Sequence, residues 1–257
     1  MQHLPMNTYP KNKKKKLEIF HFQQNYENML IIEDISLELR ENEFVSIIGP
    51  SGCGKSTIFN MISGLVKIDG GQVLIEGKDL TGETGMVSYM YQKDLLLPWE
   101  KIIDNAVLPL RLRGINKKAA REQVKKYFKL FGLEGFEYKY PHQLSGGMRQ
   151  RAALMRTYMS SKDIILLDEP FGGLDAITRF KMQNWLLGVL DKLQVSILFI
   201  THDIEEAIFL SDRIYVLSNR PAKIKKEIKV NIPKPRDREI ITSQRFNEIE
   251  RDILSIL

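Results

Sequence analysis

Short apolar runs alternate with segments of helical pattern through most of the chain. The apolar runs are rich in β-branched residues, as buried strands are, and lie at 44–48, 164–167, 195–200 and 213–217. The helical segments that follow the first three runs lie at 56–63 (closed by Gly64 as a C-cap), 176–190 and 204–210. Strands that alternate with helices form βαβ units and a mostly parallel sheet, in which ligands bind at the carboxyl ends of the strands.

The chain opens with a different pattern, in which strands outnumber helices. Residues 17–22 predict one strand, and residues 31–39 predict a second, because apolar residues recur there at every second position. A further strand is expected at 72–76, after a Gly-containing turn. The opening therefore mixes several strands with the single helix at 56–63.

A mainly helical stretch then interrupts the alternation. A strand that begins at Met86 ends near Gln92, and Pro98 breaks it. Residues 102–112 begin the helical region, and residues 117–131 carry apolar side chains on one stripe. This pattern indicates a helical lobe inserted between two strands of the sheet.

The tail contains one more strand and one more helix. Apolar residues alternate at Ile228, Val230 and Ile232, and a Pro-Lys-Pro turn follows them. The terminal helix is expected to present one apolar face, formed by Phe246, Ile249, Ile253 and Ile256.

The composition is that of an ordinary globular protein, and 257 residues suit one large α/β domain or two small lobes. The formal charge of +6 permits an anionic ligand or a position beside a membrane. Part of this charge comes from Lys11–Lys16, which predicts a solvated, flexible arm, with contact to anionic lipid headgroups as the alternative. Neither a signal peptide nor a membrane-spanning segment is expected, and the single cysteine, Cys53, can form no internal disulfide. We therefore expect a soluble, cytoplasmic protein.

Residues 49–57 have the spacing of a phosphate-binding loop, with four residues between the first glycine and a Gly-Lys-Ser sequence. The loop joins the strand at 44–48 to the helix at 56–63, which is the context that such a loop requires. Its glycines let backbone N–H groups approach a polyphosphate, and the helix N-terminus adds partial positive charge. Lys55 is expected to reach the β- and γ-phosphates, and the Ser56 hydroxyl to ligate Mg²⁺. The residues predicted to bind nucleotide here are Gly49, Pro50, Ser51, Gly52, Cys53, Gly54, Lys55, Ser56 and Thr57.

Two carboxylates follow the apolar strand at 164–167. Asp168 is expected to hold Mg²⁺, directly or through water, opposite Ser56. Glu169 would face the γ-phosphate and act as a general base for water. Taken alone, the pair also suits a loop that caps a helix, but the phosphate loop upstream favours the catalytic interpretation.

Two more polar residues end strands that should reach the same edge of the sheet. Gln92 can ligate Mg²⁺ or orient water, and its position before the helical lobe suits it to report the state of the nucleotide. His202 can hydrogen-bond a γ-phosphate oxygen, although an isolated histidine is more often structural. We predict catalytic roles for Gln92, Glu169 and His202.

Residues 144–150 form a second Gly-containing loop before a helix, and hence a second candidate anion site. One nucleotide site does not need two such loops from the same chain. A head-to-tail dimer would explain why the chain has two such loops. In such a dimer Ser145, Gly146 and Gly147 of each chain would cover the γ-phosphate bound by the other chain.

Taken together, these motifs resemble those of the ATP-binding subunit of an ABC transporter, over about residues 17–220. The matching segments, in family order, are the Walker A loop 49–57, the Q-loop Gln92, the signature 144–150, the Walker B strand 164–169, the D-loop 173–175 and the switch histidine His202. Tyr26 is similar to the aromatic residue of the A-loop that stacks on adenine, with Phe22 as the alternative.

The resemblance implies an α/β fold with a P-loop NTPase core and a mostly parallel sheet. It also implies an N-terminal antiparallel β subdomain and an inserted helical subdomain at about 94–160. The ATPase domain would span 17–220, between a flexible basic arm at 1–16 and a short C-terminal strand and helix at 221–257.

The same resemblance implies a transport function. Two subunits would enclose two ATP molecules with Mg²⁺, with Asp175 coupling the two sites. Closure would move the helical subdomain against separate integral membrane permease subunits, at the cytoplasmic face of the membrane. Met148 stands where the signature usually has glutamine, and it can still pack against the nucleotide.

The signature with Met148 is similar to that of one importer branch, as is the Leu-Pro-Trp sequence at 97–99. That branch comprises the nitrate, sulfonate, taurine and thiamine-precursor importers, which also work with a solute-binding protein. No nucleic acid partner is expected.

Two other functions compete with this one. Soluble ABC ATPases that act on ribosomes or nucleic acid usually carry two cassettes or a long coiled-coil insertion, whereas this chain has one cassette and no long heptad run. A regulatory nucleotide-binding module without turnover is disfavoured by the presence of both Glu169 and His202.

Overall fold

The computed structural model describes residues 13–27, 29–160 and 163–257. The strands in these ranges are β1 Lys15–Tyr26, β2 Met29–Arg40, β3 Phe44–Ile48, β4 Gly70–Ile75, β5 Lys78–Asp79, β6 Ser88–Met90, β7 Ile164–Asp168, β8 Ser196–Ile200, β9 Arg213–Leu217 and β10 Ala222–Lys229. The helices are α1 Lys55–Ile62, α2 Ile102–Leu112, α3 Lys117–Phe128, α4 Gly146–Tyr158, α5 Ala176–Leu193, α6 Ile204–Leu210 and α7 Gln244–Leu254, with short 3₁₀ helices at Pro141–Gln143 and Arg238–Thr242. None of the helices in the described ranges is long and apolar enough to cross a bilayer.

All these strands form one sheet, in the order β5-β4-β1-β2-β10-β9-β3-β8-β7-β6. In its parallel centre, β3 pairs with β8 and β9, and β7 pairs with β8 and β6. Alternate residues of β7 enter two different cores. Ile165 and Leu167 pack with helices α2–α7, whereas Ile164 and Leu166 pack with α1 and the N-terminal strands. Because both faces are covered, the first four positions of the strand are apolar, which explains the continuous apolar runs in the sequence.

The N-terminal strands form the predicted antiparallel part of the sheet. β1 pairs with β2 on one side and with β4 on the other, both antiparallel. The sequence pattern missed the two-residue strand β5, which is exposed and too short to show a period. Its pairing with β4 extends the antiparallel edge.

The C-terminal strand lies inside the sheet and joins its two parts. β10 pairs antiparallel with β9 and parallel with β2. Prediction placed this strand around Ile228–Ile232, whereas β10 spans Ala222–Lys229. The error arose because the first part of β10 carries exposed lysines, which hide its period. Val230 and Ile232 lie beyond its end, although both are buried.

The prediction of a flexible arm over residues 1–16 is wrong at its C-terminal end. Residues 1–12 lie outside the described part of the chain, but β1 begins at Lys15. Lys16 is buried rather than solvated, and its ammonium lies 2.6 Å from Glu76 Oε1 and 3.0 Å from Asp163 Oδ2. These two carboxylates compensate the buried charge, a pairing that a local run of lysines cannot reveal.

Helices α2, α3 and α4 lie within the predicted insertion at 94–160. α2 has the predicted bounds, whereas α3 ends three residues earlier than expected because the chain turns after Phe128. Asp104 of α2 is buried and accepts three hydrogen bonds from Arg121 of α3, the closest at 2.7 Å. Asn105, also buried, accepts a hydrogen bond from the Leu97 backbone N–H at 2.7 Å. These polar contacts tie the start of α2 to α3 and to the segment that follows Gln92.

Candidate active site

The phosphate-binding loop connects β3 to α1, as predicted. Gly54 is the N-cap of α1 with φ of +118°, a backbone conformation that favours glycine. Lys55 is buried, and its ammonium donates hydrogen bonds to the carbonyl oxygens of Gly49 at 2.9 Å and Pro50 at 3.0 Å. These bonds hold the lysine charge over the loop, beside the partial positive charge of the helix N-terminus. The loop therefore concentrates positive potential where a phosphate chain can lie.

Asp168 ends β7 and is buried beside Ser56 and Tyr89. The Tyr89 hydroxyl donates a hydrogen bond to Asp168 Oδ2 at 3.2 Å. Burial raises the pKa of Asp168, although hydrogen bonds from Ser56 and Tyr89 and the nearby Lys55 charge oppose that effect. The structure thus brings together the two residues predicted to hold Mg²⁺. A hydroxyl and a carboxylate supply the hard oxygen ligands that this ion prefers.

One carboxylate oxygen of Glu169 contacts both Gln92 and His202. Gln92 Nε2 donates a hydrogen bond to Glu169 Oε2 at 3.2 Å, and His202 Nδ1 lies 3.2 Å from the same atom. Glu169 has φ of +43°, in the left-handed region, and its backbone N–H donates to Ile200 O at 2.9 Å. This bond holds the residue at the carboxyl ends of β7 and β8. The three predicted catalytic residues therefore form one cluster around Glu169.

A buried polar network supports the segment that carries His202. Thr201 donates a hydrogen bond to the carboxylate of Glu206, and Gln183 Nε2 donates to Glu206 Oε1 at 2.9 Å. Thr201 Oγ1 also accepts from the Asp203 backbone N–H at 3.0 Å. Burial raises the pKa of Glu206, which the hydrogen bonds from Thr201 and Gln183 oppose. The network fixes the turn between β8 and α6, and thereby the position of His202 next to Glu169.

An open cavity of about 540 Å³ lies next to the start of α1. Exposed Tyr26 and Thr57, which follows Ser56 in α1, both line it. Phe22, the alternative to Tyr26 for stacking on adenine, is completely buried in the core. The alternative is therefore wrong, since a ring inside the core has no free face, and Tyr26 stays the predicted adenine contact.

The second Gly-containing loop begins α4. The exposed Ser145 caps the helix, and its Oγ accepts a hydrogen bond from the Met148 backbone N–H at 3.4 Å. Both glycines of the loop meet α5 or the segment before it. A Cβ on Gly146 would lie 3.3 Å from Leu174, and one on Gly147 would lie 3.3 Å from Thr178. Both neighbours belong to the same chain. The predicted contact of this loop with the phosphate of a partner chain therefore stays a prediction.

Asp175 caps α5 and is exposed. Its Oδ1 accepts hydrogen bonds from the backbone N–H groups of Thr178 at 3.0 Å and Ile177 at 3.1 Å. The bond from Thr178 is the largest cause that lowers the pKa of Asp175. The carboxylate thus fixes the bend between the D-loop and α5.

Two residues near the site were missed by sequence reasoning. Tyr89 contacts Asp168 and stacks on Tyr91, with ring centroids 4.2 Å apart. The aromatic residues at alternate positions of the strand that leads to Gln92 were the available signal. Arg220 lines the cavity beside Tyr26, and no local motif marks it. Cys53, by contrast, is buried, which raises the pKa of its thiol and leaves it neutral.

The fold and the site together define a nucleoside triphosphatase with a phosphate-binding loop. Comparison with known proteins narrows this class, because the family described as ABC transporter matches residues 32–172. The chain belongs to this family, as its motifs predicted, and it is an ATPase of the ABC type.

Relatives that match nearly the whole chain have names that agree with this family. An ABC transporter ATP-binding protein of Methanocaldococcus jannaschii is 44% identical over 93% of this chain and 88% of its own. The aliphatic sulfonates import ATP-binding protein SsuB of Bacillus cereus is 38% identical over 91% of each chain. The formylaminopyrimidine import ATP-binding protein ThiZ of Halalkalibacterium halodurans is 40% identical over 88% of this chain and 90% of its own. These names confirm the resemblance to the importer branch.

Among solved structures, the ATP-binding cassette MJ0796 in a dimeric post-hydrolysis state with ADP and Pi superposes with a TM-score of 0.71. It is 28% identical to this chain and covers 83% of it, and 98% of the cassette is matched. The predicted fold class, an ABC ATPase cassette, is thereby confirmed.

Proposed function

We propose that the chain is the ATP-hydrolysing subunit of an ABC importer, which dimerises head-to-tail and drives separate membrane permease subunits at the cytoplasmic face. The observation that carries the proposal is the contact of Gln92 and His202 with one oxygen of Glu169, at the edge where the phosphate loop also ends. A general base must lie within reach of the γ-phosphate, and this cluster provides one.

ATP would bind along the loop, with its base on Tyr26 and its β- and γ-phosphates toward Lys55. Ser56 and Asp168 would hold Mg²⁺, because their oxygens already share a hydrogen bond. When bound, the ion neutralises charge on the β- and γ-phosphates. Gln92, which contacts Glu169, would join this metal site from the Q-loop once the nucleotide is bound.

Glu169 Oε2 would accept a proton from the water that attacks the γ-phosphorus. Gln92 and His202 hold that oxygen in place, and His202 would hydrogen-bond the γ-phosphate from its exposed position. A positioned base of this kind typically contributes about 10²–10⁴-fold to the rate.

The site would be completed by a second copy of the chain. The exposed Ser145, with Gly146 and Gly147, would face the γ-phosphate bound by the partner, and Asp175 would lie near the junction of the two sites. The dimeric state of the cassette MJ0796 supports this arrangement.

The permease partner and a solute-binding protein are proposed from the import names of the relatives. Those names also favour a small solute of the sulfonate or pyrimidine type. The helical lobe, which meets Gln92 through the segment at 94–101, would carry the motion to the permease.

Mixing two inactive variants tests the shared site. Lys55→Ala breaks the phosphate loop and leaves the Ser145 loop intact, whereas Ser145→Arg does the opposite. Each variant alone should show almost no ATPase activity. In a mixture, half of the dimers would be heterodimers, each with one intact site formed by Ser145 of the first variant and Lys55 of the second. We expect recovery of up to about a quarter of the wild-type activity if the sites act independently.

The control is a mixture of Lys55→Ala with Glu169→Gln, in which both broken residues lie in the same half-site and which should stay inactive. Absence of recovery in the first mixture, although cross-linking shows heterodimers, would contradict the shared site. ATPase activity of the wild type that does not depend on its concentration down to the monomer would contradict it as well.

A further inference from the structure

Arg220 lies in the turn between β9 and β10, beside the phosphate-binding loop. β9 pairs in parallel with β3, so both strands end at the same edge of the sheet. The Ser218 hydroxyl fixes the turn, since it accepts from the Lys223 backbone N–H at 2.9 Å and lies 2.7 Å from Asn219 O and 3.1 Å from Pro221 O. The position of Arg220 is therefore set by a turn that the sheet holds, not by a free loop.

The guanidinium of Arg220 spans the gap between the loop and the adenine side of the site. Its Nη1 lies 3.9 Å from the sulfur of Met29, and a Cβ built on Gly52 would lie 3.7 Å from its Nη2. The cavity of about 540 Å³ at this point is lined by Tyr26, Glu27, Met29, Ile31, Thr57 and Arg220. Arg220 is thus placed between the predicted adenine contact and the phosphate loop.

The charge of Arg220 has no acidic partner in the part of the chain that the structure describes. Arg149 and Arg179, by comparison, lie 3.3 Å and 3.2 Å from the carboxylates of Asp94 and Asp203. The positive charge of Arg220 acts on the loop, because it favours the ionised form of Cys53 there. Burial outweighs this effect and raises the pKa of the thiol. An exposed guanidinium with no carboxylate partner among the described residues, beside an anion-binding loop, suits an anionic ligand.

We propose that Arg220 binds the α-phosphate of the nucleotide and is a nucleotide-binding residue that the family motifs do not mark. The inference rests on ATP binding at the phosphate loop. Lys55 takes the β- and γ-phosphates and Tyr26 the base, and Arg220 lies between these two contacts. It can therefore add a side-chain charge to the backbone N–H groups of the loop that face the α-phosphate. A planar guanidinium can donate two parallel hydrogen bonds to one phosphate, which a lysine cannot do.

The test compares Arg220→Ala, Arg220→Lys and the control Lys229→Ala by titration calorimetry, with ADP and with the non-hydrolysable β,γ-imido analogue of ATP. Lys229 is exposed at the far end of β10, so its variant removes the same charge away from the site. We expect Arg220→Ala to weaken both ligands by about tenfold, to the same extent, because both contain the α-phosphate. Arg220→Lys should recover part of the loss.

Equal affinities for Arg220→Ala and Lys229→Ala would overturn the inference. So would a loss confined to the ATP analogue, since that would place the guanidinium on the γ-phosphate. Lys55→Ala separates the two proposals. If wild type binds ADP and Lys55→Ala does not, nucleotide binding at the loop holds whether or not Arg220 contributes. If wild type binds neither ligand, the proposed function itself is wrong.

Discussion

Arg149 Nε lies 3.3 Å from Asp94 Oδ2, and this pair joins the second Gly-containing loop to the segment that follows Gln92. Arg149 also donates a hydrogen bond to Leu144 O at 2.9 Å, at the entrance to α4. Farther along α4, Arg156 donates to the carbonyl oxygens of Asp94 and Leu95 at 2.6 Å each. The helix that Ser145 caps is thus held at two points to the segment that follows Gln92.

Replacing Asp94 by asparagine should lower the ATPase turnover number while leaving nucleotide affinity unchanged. Asp94 Oδ1 accepts from the Leu96 backbone N–H at 3.1 Å, which asparagine can retain, so the variant removes chiefly the ion pair. We expect a fall in turnover of about threefold to tenfold, because the Ser145 loop, which would complete the partner's site, is less firmly held.

The stability of the same variant should change by less than about 1 kcal/mol, since the pair is partly exposed. ATPase kinetics, with urea unfolding of the same preparation, check both values. A turnover number equal to wild type would show that the pair does not position the second loop. Lys125→Ala, which breaks an exposed pair with Glu122 on α3, is the matched control.

Replacing Glu169 by glutamine should reduce ATP hydrolysis by about 10²–10⁴-fold, the typical contribution of a positioned general base. Glutamine keeps the shape and can still accept a hydrogen bond from Gln92, so ADP affinity should stay within about twofold of the wild type. Phosphate release measures the first value and calorimetry the second.

Glu205→Gln is the matched control, because Glu205 is an exposed carboxylate on α6 whose recorded charge interactions are with Asp203 and Glu250. It should hydrolyse ATP at the wild-type rate. Equal loss of activity in both variants would point to a general charge effect and would remove Glu169 from the role of base.

Asp104 should stabilise the helical lobe in a pH-dependent way. Burial raises the pKa of Asp104, but hydrogen bonds from Arg121 and Lys117 outweigh it, so the pKa is lowered overall. A carboxyl whose folded pKa lies below its unfolded value contributes stability above the unfolded pKa, near 4, and loses it as the pH falls through the folded pKa. The contribution should therefore be complete at pH 6 and decline below about pH 4.

Asp104→Ala should cost about 1–3 kcal/mol at pH 6, because it leaves the Arg121 guanidinium without its partner. Urea unfolding from pH 6 to pH 3.5 should show the difference from wild type shrinking at the acidic end. A difference that is constant over this range would show that packing, and not the ionised carboxylate, supplies the stability.

Strands and loops that follow a local sequence pattern were predicted. Residues whose positions depend on partners far away in the chain were missed. Continuous apolar runs found the parallel strands because those strands are covered on both faces, and the loop motifs found Lys55, Asp168 and Glu169 because their spacing is fixed by the sheet. Lys16 was placed in a solvated arm because the partners that bury it are 60 and 147 residues away. Arg220 escaped notice for the same reason, since only the pairing of β9 with β3 brings it to the phosphate loop.

The glycines after α1 and α2 allow the cost of a left-handed backbone to be measured separately from the cost of steric crowding. Gly64 and Gly114 each follow the C-cap of a helix with positive φ, +72° and +84°. A Cβ on Gly64 would lie 2.5 Å from Glu83 O, whereas nothing lies within 4 Å of a Cβ on Gly114. Gly114→Ala should therefore cost about 1 kcal/mol, the strain of a left-handed residue alone.

Gly64→Ala should cost about 1–3 kcal/mol more than Gly114→Ala, because the segment at 82–83 must also move away from the end of α1. Urea unfolding of both variants measures the difference directly. A second effect is specific to Gly64, since α1 carries Lys55 and Ser56 at its other end. Displacement of α1 should weaken ADP binding in Gly64→Ala and leave it unchanged in Gly114→Ala. Equal stability of the two variants would show that the 82–83 segment yields without cost and that α1 is held by its core contacts alone.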